Sequence, residues 1–456
     1  MQKAQYSVVF KERIKDFNKK IKIPPCKSTS IRAFLIGSIS QGVSEVKNIL
    51  ESSDVLQCIK CLKKLEVVIK KIKPQHYKIY GKGLGSLNCK KNTILDAQNS
   101  GTTLRLIASL ISTTPNLQVK LKGDKSLNHR NMSELIKLLS QFGASFYPKK
   151  KYLPLTLVSP NMPASISYKA SSSAQLKSAA ILAGLQSFGN TTVVESKNNE
   201  SRDVTENMLL NSKSIKIKRS KKGNVITVFG RKNFSGINFT TPNDPSSASI
   251  IMTLALLTNS KLKLPRIGIN PKRLGFCELI KNNAKNRIQI LNRKKNKINE
   301  LVGTIAVRGT KKIKPIKSGK EFYPRLVDEY PVMFLISAFS KGTSVYNFHE
   351  KDLFNLRNKE SDRVKEMCNL LNKIKIKTKV TKNSVKIYGN PNIKPQKKII
   401  NVYPKGDHRI AMSSAILGLL GFKIRIHEFL TVSSSFPNFL SIIKKLGGKF
   451  EIKKTS

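Results

Sequence analysis

The chain has no tryptophan, few aromatic residues (7%) and only 27 carboxylate side chains against 84 lysines and arginines. It has no uninterrupted apolar run of about 18 residues, so no membrane-spanning helix is expected. The amino-terminal segment MQKAQYSVVFKERIKDFNKK lacks the apolar stretch of a secretory signal, and its Glu12 and Asp16 argue against an organelle transit peptide. A cytoplasmic protein is the expectation. Cysteines are scattered (Cys26, Cys58, Cys61, Cys89, Cys277, Cys368), and the single CxxC at Cys58 and Cys61 has no second Cys or His pair. Structural zinc needs about four ligands, so buried free thiols and no metal are expected. The glycine-rich GKGLGS at 81–86 has no Lys-Ser/Thr at P-loop spacing and reads as a turn.

What the chain has in excess is positive charge. A net charge of +57 points first to nucleic acid. Nucleic-acid modules, however, gather charge on one face and interleave aromatic side chains for stacking. Here lysines are spread along the whole chain, and no basic block alternates with Phe or Tyr. Asn and Ile are abundant as well, as AT-biased coding would produce, so compositional drift explains the charge better than a nucleic-acid partner.

At 456 residues the chain is long for one hydrophobic core, and two domains are expected. A repeated phrase organises it: a short polar motif, an apolar helix, a small turn and a β-type run. The motifs begin near Ser28, Asn99, Ser172, Pro245, Asp328 and Asp407, at intervals of 71 to 83 residues. Behind each helix trails a second phrase, such as LLSQFGASF or IIKKLGGKFEIK. Each copy opens with helix-capping or anion-binding residues: KSTS, NSGTT, SSAQ, DPSSAS, DEYP and DHR. Helix starts carry unpaired N–H donors and a positive dipole end, so six of them suit an anionic ligand.

Only 17 of the 84 basic residues are arginine. In a lysine-drifted chain, arginine should persist where a planar fork is needed for a carboxylate or phosphate. Arg32, Arg105, Arg130, Arg202, Arg357, Arg363 and Arg409 lie in or beside the polar motifs, with Arg105 and Arg357 the best candidates for bracing the fold. Lys27 and Lys359 add mobile cationic donors. Two carboxylates stand out in this cationic setting: Asp328, at the fifth helix start, and Glu360, in LRNKESDR. A pair in different environments can divide acid and base work, although salt-bridging to the arginines is the competing role. His408 can titrate near neutrality or orient a neighbour. Gly101 in NSGTT lets backbone approach a ligand, flanked by the capping residues Asn99, Ser100 and Thr102.

These residues resemble the 5-enolpyruvylshikimate-3-phosphate synthase family over essentially the full length. The matching motifs, in family order, are KSTSIRA (27–33), NSGTTLRL (99–106), GDKSLNHR (123–130), SSAQLKSA (172–179), SRDVTENM (201–208), NDPSSAS (243–249), VDEYP (327–331), LRNKESDR (356–363), GDHRIAM (406–412) and SFPNF (435–439). The resemblance implies an α/β (α+β) enolpyruvyl transferase fold of two domains, each of three βαβαββ-type units, with the active site in the interdomain cleft. One domain would span 24–242 and the other, discontinuous, 1–23 and 243–456. The implied reaction moves the enolpyruvyl group of phosphoenolpyruvate to the 5-hydroxyl of shikimate 3-phosphate and releases phosphate, without metal or organic cofactor. By match to the family pattern, Lys27, Ser28, Arg32, Ser173, Ala174, Gln175, Arg202, Asp328, Asn355 and Lys359 would hold shikimate 3-phosphate. Lys27, Gly101, Arg130, Gln175, Arg363 and Arg409 would surround phosphoenolpyruvate. Asp328 would be the base, and Glu360, with Lys27, the acid. The resemblance also implies a monomer.

Three departures stand against that pattern. Pro24-Pro25-Cys26-Lys27-Ser28 replaces the usual P-G-S-K-S, fixing φ where glycine gave freedom. Asn131 stands where proline often follows the motif arginine, and Ser434 where some members carry a phosphate-facing lysine. Two alternatives follow. The sister transferase acting on UDP-N-acetylglucosamine expects Lys-Asn where this chain has Lys27-Ser28, and a loop cysteine that 107–131 lacks. A nucleic-acid-binding relative without catalysis would have no reason to keep Lys27, Asp328, Glu360, Arg363 and Arg409 together.

Overall fold

The structure is a computed structural model describing residues 6–197, 200–284, 287–310 and 312–454. It forms two compact units. An inserted unit comprises Pro25–Pro242 and Lys295–Leu301; a split unit comprises residues 6–24, 243–294 and 302–454. Pro24 thus lies with the split unit. The excursion 295–301, which the sequence patterns do not announce, is held by one apolar side chain. Ile298 is 4% exposed within the inserted unit's core. Polar ties support it: Asn207 Nδ2 donates to Glu300 Oε1 at 2.8 Å, and Asn211 Nδ2 to the Lys297 carbonyl at 3.0 Å.

Each unit holds three repeats, and each repeat has one long buried helix. In the inserted unit these helices are Lys27–Ile39, Gly101–Ser112 and Ala174–Gln186; in the split unit they are Pro245–Leu257, Tyr330–Ala338 and His408–Leu419. Tyr330–Ala338 and His408–Leu419 are buried at every position. A helix buried on all sides sits inside a core, and these two lie in the core of the split unit. The second helices, such as Ser53–Lys64 and Arg363–Lys373, bury one face, which holds Val55, Cys58 and Leu62 in the first of them. Burial pushes the Cys61 thiol up to about 12, and among the described residues the cysteines are free.

Among the described residues, six four-stranded sheets cover these helices. In the second repeat, Ile94–Asp96 runs parallel to Gln118–Lys122, which pairs antiparallel with Leu155–Val158, itself antiparallel to Ser145–Tyr147. The other sheets follow this order, three of them with strands from distant chain. Asn238–Thr240 completes the first repeat's sheet, Asn18–Lys20 the fourth's, and Tyr6–Phe10 lies inside the sixth's. Central strands alternate: Val119 and Leu121 point inward while Lys120 and Lys122 are exposed, as are Lys261 and Lys263 around Leu262. Much of the chain's charge is the solvated face of such sheets. Among the described residues, no helix is long and apolar enough to cross a membrane.

Candidate active site

Side-chain bonds gather the motif-bearing helix starts within each unit. In the inserted unit, Lys27 opens the first helix, and its Nζ donates to Asp54 Oδ2 at 3.0 Å. Thr103, beside the second helix start, donates its hydroxyl to the Asp54 carbonyl at 3.4 Å. Gln175, near the third helix start, accepts from Arg105 Nη1 (3.0 Å) and donates to Thr102 Oγ1 (2.9 Å). Arg32 ties the first helix to the third: its Nη2 reaches Ser178 Oγ at 2.9 Å, its Nε reaches Thr205 Oγ1 at 2.7 Å, and its Nη1 reaches Ser28 Oγ at 2.5 Å. The three positive helix ends therefore lie together with Lys27, Arg105 and Arg32 among them, a setting for anionic groups.

Burial sorts the expected residues. Arg32 is only 3% exposed, and its fork meets protein hydroxyls, so its hold on Ser28 is what it brings to this surface. Ser173 caps its helix through Leu176 N–H, with Ala174 the first helical residue. Gly101 is buried at the second helix start, where an added Cβ would lie 2.7 Å from Arg105 Nη1 and 3.1 Å from Arg130 Nη1. Only glycine leaves both guanidiniums that close to the backbone. Arg130 is aimed by Asn99 Oδ1 at 2.9 Å, and Asn99 in turn donates to Asp124 at 2.8 Å. Arg202 is half-buried, with Nε and Nη2 turned away from solvent.

The split unit builds a different centre. Arg363, the first residue of its helix and 2% exposed, is ringed by carboxylates: Asp407 at 2.9 Å, Glu360 at 2.7 Å and Asp328 at 3.4 Å. Burial works against its charge, but Asp407, Glu360 and Asp328 outweigh that and raise its pKa. Asp407 is fully buried; it caps the sixth repeat helix through Arg409 N–H and also accepts from Ser361 Oγ at 3.2 Å. Arg409 Nη1 donates to the Ser246 carbonyl at 3.2 Å. Asp328 and Glu360 keep 28% and 16% of their side chains exposed, so both carboxylates have one side in this cluster and another open. Asn355 and Lys359, on and just after the helix Glu350–Arg357, are half-buried.

Among the described residues, no group of His, Cys, Asp and Glu is arranged to hold a metal ion. Ser178, Thr205 and Asp407 lie inside quoted motifs but carry no assigned role there, and Asp54 lies outside them; the two aspartates belong to the chain's scarce carboxylates, a signal that sequence reading can use.

The fold is that of the enolpyruvyl transferases. At only 11% identity, the chain superposes on the crystal structure of the enolpyruvyl transferase NikO from Streptomyces tendae with a TM-score of 0.75, covering 99% of this chain and 100% of that one. A structure of EPSP synthase from Acinetobacter baumannii matches with a TM-score of 0.82 at 29% identity, over 98% and 100% of the two chains. The family model for EPSP synthase (3-phosphoshikimate 1-carboxyvinyltransferase) matches residues 11–443. Curated 3-phosphoshikimate 1-carboxyvinyltransferases are similar: that of Petrotoga mobilis is 34% identical, covering 94% of this chain and 97% of its own. That of Caldicellulosiruptor bescii is 35% identical, over 93% and 96%. The chain belongs to the EPSP synthase family.

Proposed function

We propose that this chain transfers the enolpyruvyl group of phosphoenolpyruvate to the 5-hydroxyl of shikimate 3-phosphate, acting as a cytoplasmic monomer. The carrying observation is the Arg363 cluster, where two partly open carboxylates, Asp328 and Glu360, flank a buried guanidinium. Asp328 accepts the proton of the 5-hydroxyl as its oxygen attacks C2 of phosphoenolpyruvate. Glu360, with Lys27, delivers a proton to C3, giving a tetrahedral ketal phosphate. Loss of a proton from C3 then re-forms the double bond as the C2–O bond to phosphate breaks. Groups positioned this way contribute about 10²–10⁴-fold each.

The remaining residues hold anions. Arg363 and Arg409 suit the phosphoenolpyruvate carboxylate, and Lys27 and Arg130 its phosphate, with Gly101 and Gln175 alongside. Ser28, Ser173, Ala174, Gln175, Arg202, Asn355 and Lys359 take shikimate 3-phosphate, with Arg32 fixing Ser28. Both substrates are phosphorylated carboxylates, which suits helix starts and arginine forks. No cofactor is required by this chemistry.

The test is phosphate release from phosphoenolpyruvate with shikimate 3-phosphate or UDP-N-acetylglucosamine supplied separately, at about 0.15 M salt to screen nonspecific attraction. Release with shikimate 3-phosphate alone, lost in Glu360→Gln and Asp328→Ala, is the expected result. Release with the sugar nucleotide alone would reassign the chain to the sister activity.

A further inference from the structure

In the six repeat helices, the fourth residue after the N-cap is a core position: Ser30, Leu104, Lys177, Ala248, Met333 and Ala411. Five are small or apolar. The third repeat alone places a lysine there, with 0% of its side chain exposed. Lys177 Nζ donates to Glu195 Oε1 at 2.6 Å and lies 2.7 Å from Glu206 Oε1. Those carboxylates are themselves only 1% and 2% exposed. Burial alone drives a lysine toward neutrality, but Glu206 and Glu195 outweigh it and raise the pKa, so the ammonium is charged.

Packing alone does not explain this arrangement. Apolar residues of similar volume in place of a buried ion pair are often as stable or more so. What an apolar set could not do is hold Ser201. Its N–H and hydroxyl donate to Glu195 Oε1 at 2.8 and 3.2 Å, and its carbonyl accepts from Lys177 Nζ at 3.3 Å. The other oxygen of Glu195 accepts from Asn224 at 3.1 Å. All three polar groups of Ser201 are thereby tied to one buried charge cluster, and the next residue is Arg202. A second rung lies beside the first. Ser178, next to Lys177, accepts from Thr205, next to Glu206, at 2.8 Å, and both take donors from Arg32, whose Nη1 holds Ser28.

We propose that Lys177, clasped by Glu195 and Glu206, is a positioning residue for shikimate 3-phosphate: it fixes Ser201 and so sets where Arg202 is presented, with Ser28 steadied through the adjoining rung. This rests on the reading of function above, in which Arg202 and Ser28 hold that substrate. No atom of the cluster touches a reacting group. Its loss should therefore weaken one substrate and leave the chemical step nearly intact.

The test compares wild type with Lys177→Met, Glu195→Gln and Glu206→Gln in two measurements. The first, without ligand, is amide hydrogen exchange across 200–206. Faster exchange is expected in Lys177→Met and Glu195→Gln, and little change in Glu206→Gln, because Ser201 bonds to Glu195 and Lys177 rather than to Glu206. The second is steady-state phosphate release. The KM for shikimate 3-phosphate should rise about 10- to 100-fold in Lys177→Met, as when a supporting partner of a binding group is removed, with the KM for phosphoenolpyruvate within about twofold. Glu195→Gln keeps the shape and covers the case in which Lys177→Met does not fold. Folded variants with unchanged exchange at 200–206 and an unchanged KM for shikimate 3-phosphate would overturn the proposal, as would equal rises in both KM values. Should wild type show no turnover with shikimate 3-phosphate, the functional reading fails, and the exchange measurement alone decides whether Lys177 fixes Ser201.

Discussion

Each unit has a buried cation clasped by two or more carboxylates, Lys177 in one and Arg363 in the other, and the two clusters differ in how tightly they are sealed. Lys177 and both of its partners are shut away, at 0%, 1% and 2% exposure. Arg363 is equally buried, but Glu360 and Asp328 open outward at 16% and 28%. A sealed cluster has nothing to exchange and fixes backbone. An open cluster presents carboxylates whose partner can change when an anionic substrate arrives. The same pairing of opposite charges thus serves two purposes, and solvent access distinguishes them.

The largest expected effect comes from breaking the open cluster. Arg363→Met would leave Asp407, at 0% exposure, without its guanidinium partner. Removing one member of a buried pair costs about 3–5 kcal/mol, so chemical denaturation should show a loss of that size along with lost phosphate release. Undiminished stability would mean that Asp407 finds compensation elsewhere.

A finer distinction comes from the sealed cluster. Lys177→Met should be strongly destabilising, whereas Lys177→Met with Glu206→Met, which also removes a stranded charge, should recover about 1–4 kcal/mol of it. Raised KM for shikimate 3-phosphate should persist in the double variant because Ser201 has still lost its donor. Recovery of stability and KM together would make the cluster a packing feature only.

The smallest effect is one of pH. Burial raises the Glu206 pKa more than Lys177 lowers it, so the folded chain holds this proton at higher pH than the unfolded chain. Where the folded state binds more protons, stability falls as pH rises. The contribution is full below the unfolded value of about 4.5 and is lost as pH climbs through the raised folded value. Melting curves from pH 4.5 upward should show wild type losing stability relative to Glu206→Gln. Parallel curves would contradict the raised pKa.

The repeats were legible because a polar motif before an apolar helix is a local signal, and a period of 71 to 83 residues makes it hard to miss. The borrowed strands were not. Asn18–Lys20 and Asn238–Thr240 are three residues each, too short for a period, and their partners lie in distant chain. Ile298, a single apolar side chain in a polar hairpin tip, likewise gives no pattern. In the site, the few persisting arginines pointed to Arg363, Arg409 and Arg130, but the rule that lysine marks drift concealed Lys177. Among so many lysines, one that works in the core looks like the rest. The scarce acids were the better guide, since Asp54, Glu195, Glu206, Asp244, Glu329 and Asp407 are all buried.

The strand Tyr6–Phe10 lies between Ile424–Ile426 and Glu451–Lys454, so it is synthesised more than 400 residues before either partner. At about 5–20 residues per second, it waits roughly 20–90 s for those partners. Val8, Val9 and Phe10, buried in the finished sheet, stay uncovered during that interval. The inserted unit's first sheet waits less than half as long, because Asn238–Thr240 pairs with Glu45–Lys47. Translation itself thus imposes an order, with the interrupted half completed last and its hydrophobic leading strand the segment most in need of a chaperone.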